Sequence, residues 1–203
     1  MPYVNAPLAN ARAEYKPSQP RAAAELGLSI PATLITNDPD AARRFADEHG
    51  SIVYKSFRGV RPSDGETGVI WTQRVRAAEL DETVSVTAHL FQAEIQKSLD
   101  VRITVVGAEV FAFGIRSPAP VLDWRSGDWE LLEYTPFDLP ETFAGCLRAY
   151  LDHFGLAFGC FDFAVESTTG QPIFIECNPN GQWGFLPASD AIADAFAVLL
   201  QTG

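Results

Sequence analysis

Gly159-Cys160-Phe161-Asp162-Phe163-Ala164-Val165-Glu166, a turn of Ser167-Thr168-Thr169-Gly170, then Gln171-Pro172-Ile173-Phe174-Ile175-Glu176-Cys177-Asn178-Pro179-Asn180-Gly181-Gln182-Trp183 is the stretch that decides the reading of this chain. Two apolar runs flank a polar turn ending in glycine, the pattern of a β-hairpin. Side chains alternate faces along a strand, so Asp162 points away from Phe161 and Phe163, and Glu176 away from Ile173 and Ile175. With Glu166 and Gln171 flanking the turn, Asp162 and Glu176 are expected on one face as surface carboxylates, and Asn178 extends that face. Two carboxylates and an amide oxygen form a hard-oxygen set suited to Mg²⁺. A hairpin carrying solvated acids reads the same spacing equally well.

The chain has 203 residues, 47% of them hydrophobic and 20% charged, enough apolar content for a core. Its net charge of −11 argues against nucleic acid or an anionic membrane surface as partner. A small anionic ligand remains compatible if the few basic residues gather in one cleft. Cys146, Cys160 and Cys177 have no metal-ligand spacing and sit beside apolar residues, which reads as reduced thiols in a cytoplasmic protein. The sequence reads without a signal peptide and without an apolar run long enough for a bilayer.

Residues 1–15 read as an irregular linker or arm. Residues 20–26 form a short helix stopped by Gly27, and 30–35 a strand. Asp38-Pro39 caps a helix whose main inward residue is Phe45 and which ends at Gly50. A strand over 51–55 ends in Lys55. Residues 58–68, with Gly59, Pro62, Gly65 and Gly68, read as a flexible loop whose backbone N–H groups can lie over phosphates, though without P-loop spacing. A strand over 69–75 returns from it, and another spans 89–95. Residues 101–106 and 110–116 form a hairpin turning at Gly107-Ala108-Glu109. Ala112, Gly114 and Arg116 share one face, Arg102 and Thr104 another set, and small residues between two arginines are expected to floor a groove. Exposed arginines on a solvated sheet are the alternative. Trp124, beside Arg125, is either a clamp or ordinary packing. Phe143, Leu147, Tyr150, Leu151 and Phe154 recur at helical spacing after Asp138-Leu139-Pro140, and Gly155 closes that helix. Residues 190–200 form a last apolar helix. No Ser-His-Asp or Cys-His arrangement is legible, and His49, His89 and His153 read as structural or solvated.

Lys55, the loop, Phe91-Gln92-Ala93-Glu94-Ile95, Asp100-Val101-Arg102, Arg116, Asp123-Trp124-Arg125, Asp162 and Glu176-Cys177-Asn178-Pro179-Asn180-Gly181 occur in an order that resembles the ATP-grasp superfamily. The resemblance covers about residues 14–200. Within the superfamily the chain looks most like the graspetide or microviridin-type ligases that mature ribosomally made precursor peptides. Ala13-Glu14-Tyr15-Lys16-Pro17, Leu34-Ile35-Thr36-Asn37-Asp38-Pro39 and Asn178-Pro179-Asn180-Gly181-Gln182-Trp183 carry that likeness. It is more distantly similar to ligases that add glutamate to a ribosomal protein. Those tend to have Asn two residues after the loop Arg, where this chain has Gly127.

The resemblance implies an α+β ATP-grasp fold of two lobes with mixed or antiparallel sheets clasping ATP: a small lobe over 16–90 and a larger one over 91–203. It implies that Lys16 and Lys55 contact the nucleotide, that Gln92, Ala93, Glu94 and Ile95 line the adenine slot, and that Asp100 lies near the ribose. Arg102, Arg116 and Arg125 would steady the phosphates, and Asp162, Glu176 and Asn178 would hold Mg²⁺, with Mn²⁺ as the other ion. The implied reaction is phosphorylation of a peptide carboxylate by ATP, then attack on the acyl-phosphate by an amine or hydroxyl. A ligase acting on a protein terminus or small molecule, and a nucleotide- or peptide-binding module with little activity, stand as the other readings; a homodimer is left open. The family's N-terminal lobe would precede Ala13, so the chain is expected to lack it and to depend on it for full activity.

Overall fold

The computed structural model describes residues 3–57 and 72–202. The glycine-bearing loop over 58–68 lies outside the described residues. Of the strand expected to return from it, only the end is described. Among the described residues the chain forms two antiparallel sheets and five α-helices. The α+β architecture with antiparallel sheets expected from the motifs is the one observed.

The first sheet runs in the order β1 (Thr33–Thr36), β4 (His89–Ala93), β2 (Ile52–Lys55), β3 (Gln73–Val75). Helix α3 (Pro39–His49) covers one face. Asp38 caps it, its Oδ1 accepting from the Asp40 and Ala41 amides at 2.9 and 3.2 Å, and Pro39 suits the first turn because no amide is wanted there. Ala42 and Ala46 are its fully buried residues, with Phe45 only partly buried beside them, against Ile52 and Phe91. The opposite face of this sheet presents Val53, Lys55 and Gln92 to the second sheet.

The second sheet runs β7 (Glu133–Pro136), β6 (Glu109–Arg116), β5 (Lys97–Val106), β8 (Phe158–Glu166), β9 (Pro172–Asn178). Helix α4 (Glu141–Phe154), closed by Gly155 at φ 70°, packs Leu147, Tyr150 and Leu151 onto one face. On the other face Phe158 and Cys160 meet Ile192 of α5 (Ser189–Thr202).

Three differences from the sequence reading bear on the site. The segment read as an irregular arm contains helix α1 (Pro7–Ala13), and it leads into α2 (Gln19–Glu25); both pack on the second sheet, where Ala13, Ala22 and Ala23 are buried. Strand β4 crosses residue 90, so the position dividing the two expected lobes falls inside a strand of the first sheet. The third difference is register. Val106 pairs with Glu109, so the turn is the two residues Gly107-Ala108, one shorter than read. Arg102 therefore faces Phe113, and Ala112, Gly114 and Arg116 lie on the opposite face. A one-residue slip transfers every side chain of a strand to the other face, and the expected groove between Arg102 and Arg116 does not exist.

Candidate active site between the two sheets

The hairpin of β8 and β9 brings Asp162 and Glu176 together through an irregularity. From the turn inward, Val165 pairs with Pro172, Ala164 with Ile173 and Phe163 with Phe174. Continued regularly, that register would set Asp162 opposite Ile175. The register instead shifts between Asp162 and Phe163, so Ile175 is the extra residue of a β-bulge and Glu176 stands opposite Asp162, with Asn178 opposite Cys160. The expected shared face is real, but the pairing of Glu166 with Gln171 from which it was expected would have put Glu176 on the other face; the bulge creates it. Glu176 is not a surface carboxylate: it is 8% exposed and Asp162 5%.

Four cations surround this pair. Arg102 Nη1 donates to both Asp162 oxygens at 2.9 Å, and its Nη2 to the Gln182 carbonyl. Arg125 Nη1 lies 2.7 Å from Glu176 Oε1 and 3.8 Å from Asp162 Oδ2. Asp123 clasps the other side of that guanidinium, accepting from Nε at 2.9 Å and Nη2 at 2.7 Å. Lys16 Nζ reaches Glu176 Oε2 at 3.1 Å. Lys55, crossing from the first sheet, donates to the Ile175 carbonyl at 3.3 Å. Gly181 is required here, because a Cβ on it would fall 2.4 Å from Cys160 Cβ and 2.8 Å from Arg102 Nη2.

The charges hold one another in place. Burial alone would push the Glu176 carboxyl up, but Lys16, Arg125 and Lys55 outweigh it and hold it well below the usual carboxylate range. Burial likewise opposes the charge on Arg125, and Asp123, Glu176 and Asp162 raise its pKa above the ordinary value. Lys55 is the exception. Burial lowers it to about 8, with Glu176 compensating only in part. A lysine so poised gains most from an added anion.

A cleft of about 410 Å³ opens beside this cluster. Lys55, Gln92, Glu94 and Ile95 line it from the first sheet and the link that follows, and Asp100, Arg125 and Asp162 from the second. Asp100 is held by Lys97 at 2.7 Å, yet burial raises its pKa to about 6. Lys97 also donates to the Leu122 carbonyl, tying the loop that bears Asp123 and Arg125 to β5.

Not every expected residue faces this space. The Ala93 side chain shares the face of Phe91, toward α3, so Gln92, Glu94 and Ile95 line the cleft without it. Glu94 is turned toward Arg74 and Ser51. Lys16 and Glu176 line a separate small hollow beside Lys55 and Gln19, and neither Glu176 nor Asn178 lines the cleft itself. Arg102 is 3% exposed and lies beneath Asp162, outside the cleft lining. Arg116 lines the cleft, exposed and without an ion-pair partner among the described residues. Trp124 is buried at the cleft wall and packs against Trp129 and Phe185. Lys97 and Gln19 enter the site unexpectedly, and Asp123, quoted with its motif, has no role in the sequence reading. Asp123 precedes a tryptophan and Gln19 a proline, while Lys97, between Gln96 and Ser98, carries no local signal.

Asp162, Glu176 and Asn178 offer only oxygen donors, and that chemistry fits Mg²⁺. Among the described residues no cluster of three or more His, Cys, Asp or Glu side chains is gathered as metal ligands, so a cation here would rest on two carboxylates and an amide. No described helix is long and apolar enough to cross a membrane.

Two sheets with a charged cleft between them define the ATP-grasp class, and comparison with solved structures agrees. The chain is similar to the RiPP-associated ATP-grasp ligase of Chryseobacterium gregarium, solved with ADP and a leader and core peptide (30% identity, TM-score 0.88, 98% of this chain and 63% of that one). It is similar to macrocyclase MdnC from Microcystis aeruginosa, solved with precursor peptide MdnA (32% identity, TM-score 0.84, 98% and 64%). D-alanine–D-alanine ligase from Bacillus anthracis, at 14% identity and TM-score 0.66, shares the fold alone. No family model and no curated protein matches the sequence. The chain thus has the ATP-grasp fold, is similar over nearly its whole length to a RiPP-associated ATP-grasp ligase and to a macrocyclase solved with its precursor peptide, and spans less than two thirds of each.

Proposed function

We propose that this chain is the ATP-binding portion of a ligase that activates a side-chain carboxylate of a ribosomally made precursor peptide and closes an amide or ester crosslink. The observation that carries this reading is the convergence of Lys55, Arg125 and Asp162 on the cleft between the sheets, with Arg125 also paired to Glu176 in the adjoining hollow and Lys55 bonded to the Ile175 carbonyl. The two peptide-bound relatives support the choice of substrate.

In this reading a peptide carboxylate oxygen attacks the γ-phosphorus of ATP and ADP leaves. An amine or hydroxyl then attacks the carbonyl carbon of the acyl-phosphate, and phosphate leaves. No protein nucleophile is needed, which accords with the lack of a triad. Lys55, desolvated and short of anionic partners, binds phosphate. Arg125 stands beside it, and Arg116 reaches the cleft unpaired. Charge on the transferring group is stabilised by cations held in place before reaction. Asp162, Glu176 and Asn178 would hold Mg²⁺, which supplies neutralising charge on the phosphates. Gln92, Glu94 and Ile95 line the nucleobase end, with Asp100 next to it. The buried unpaired thiols Cys160 and Cys177 accord with a cytoplasmic setting.

The test is incubation with ATP, Mg²⁺ and the precursor peptide encoded beside the gene. ADP release with loss of one water per crosslink from the peptide mass is expected. Peptide gaining a residue would favour a glutamate-type ligase. Nucleotide binding without ADP release would favour a binding module.

A further inference from the structure

Two buried amides of the N-terminal segment grip the backbone on which the acidic pair stands. Gln19 is 4% exposed and uses its whole amide. Its Nε2 donates to the Ala13 carbonyl at 2.7 Å and the Cys177 carbonyl at 2.8 Å, and its Oε1 accepts from the Cys177 amide at 3.0 Å. Asn5, 6% exposed, does the same at the other end. Its Nδ2 donates to the carbonyls of Phe158 and Pro179, and its Oδ1 accepts from the amides of Ala157 and Phe158.

The position of Gln19 matters because of what β9 lacks. It is the last strand of its sheet, so the backbone groups of Cys177 that point away from β8 have no strand to pair with. Gln19 supplies the donor and the acceptor that a further strand would. Cys177 lies between Glu176 and Asn178, two residues beyond the bulge at Ile175. Beyond a bulge the hairpin turn no longer dictates register, and a one-residue slip would move both residues to the wrong face. The same segment adds Lys16 on Glu176, Asn10 on Asn180 at 3.0 Å, and Glu14 receiving the Asn180 amide at 2.8 Å.

We infer that Gln19 is a positioning residue of the nucleotide site: by pairing with both backbone groups of Cys177 it fixes the register of β9 past the bulge, so that Glu176 and Asn178 stay together opposite Asp162. This rests on the proposal that those three residues hold Mg²⁺. Partners that orient metal ligands typically contribute about 10–100-fold to metal affinity, and a loss on the order of 10-fold is expected here.

The test is calorimetric titration of Mg²⁺ into the full chain with a non-hydrolysable ATP analogue, comparing the wild type with Gln19→Met, Gln19→Asn and Glu176→Gln. Thermal melts run alongside. Gln19→Met loses all three hydrogen bonds at similar volume. Gln19→Asn keeps an amide in the pocket but withdraws it by one methylene, and it decides the matter if the Met variant does not fold. The expected result is a cooperative melt, analogue binding without Mg²⁺ retained, and Mg²⁺ affinity reduced about 10-fold in both Gln19 variants. Unchanged Mg²⁺ affinity in the folded Gln19 variants, with a loss in Glu176→Gln, would overturn the role of Gln19 while leaving the metal reading intact. Unchanged affinity in Glu176→Gln as well would overturn both.

Discussion

On one face of the five-stranded sheet Phe161, Phe163 and Phe174 meet Tyr150 of α4, with ring centroids of Phe161 and Phe174 at 5.3 and 5.5 Å from it. On the other face the neighbours of those same residues, Asp162 and Glu176, sit among Arg102, Arg125 and Lys16. Burial is similar on both faces. Its consequences differ. Apolar contacts on the helix side stabilise the fold independently of pH. On the cleft side Asp162, Glu176 and Arg102 have lost most of their water and stand by their partners, so burial there is close to neutral as a whole and costly to disturb singly. The fold does not need such a face; an anionic ligand with its counter-ion does.

The comparison is sharpened first by Phe161→Ala. It removes a fully buried ring and should cost about 3–5 kcal/mol in urea unfolding. A loss under about 1 kcal/mol would mean the helix-facing layer is not the core. Next, Asp162→Ala should cost about 3 kcal/mol, because it leaves the buried Arg102 guanidinium unpaired. Adding Arg102→Met should restore most of that loss, and a double-mutant cycle showing simple additivity would contradict the pairing.

Lys55 gives a smaller, pH-dependent effect. Its folded pKa of about 8 lies below the ordinary lysine value. Between about 8 and about 10.4 the unfolded chain binds the proton that the folded chain has released, so stability rises with pH across that window. Lys55→Met should abolish the rise in thermal melts over that range while weakening ATP binding at pH 7. An unchanged rise would place the titration elsewhere. The smallest effect belongs to Arg116→Ala: within about 0.5 kcal/mol on stability, since the side chain is exposed and unpaired among the described residues. A measurable loss of ligase turnover in that variant, with stability intact, would count for its place in the cleft.

Much of this was legible beforehand. Asp38 before Pro39, the spacing from Phe143 to Phe154 and the closing Gly155 each state a helix and its end by local chemistry. The two apolar runs around Ser167-Thr168-Thr169-Gly170 state a hairpin. What sequence could not state was register. Period-two alternation says which residues of one strand share a face, but not which partner residue stands opposite. That depends on whether a turn has two residues or three, as at Gly107-Ala108, and on bulges, as at Ile175. The roles of Asn5 and Gln19 were illegible for a related reason. Apart from the Ala13 carbonyl, their partners are backbone groups more than 150 positions away, and helix α1 is too short to declare itself by periodicity.

The central claim is that the acidic pair on β8 and β9 holds Mg²⁺ for ATP bound in the adjoining cleft. Calorimetric titration of ATP into the chain with and without Mg²⁺, for the wild type and Glu176→Gln, tests it most directly. The account predicts that Mg²⁺ tightens ATP binding in the wild type and that Glu176→Gln, still folded by its melt, loses that dependence. ATP binding of equal strength with and without Mg²⁺ in the wild type, or an Mg²⁺ dependence that survives Glu176→Gln unchanged, would contradict it.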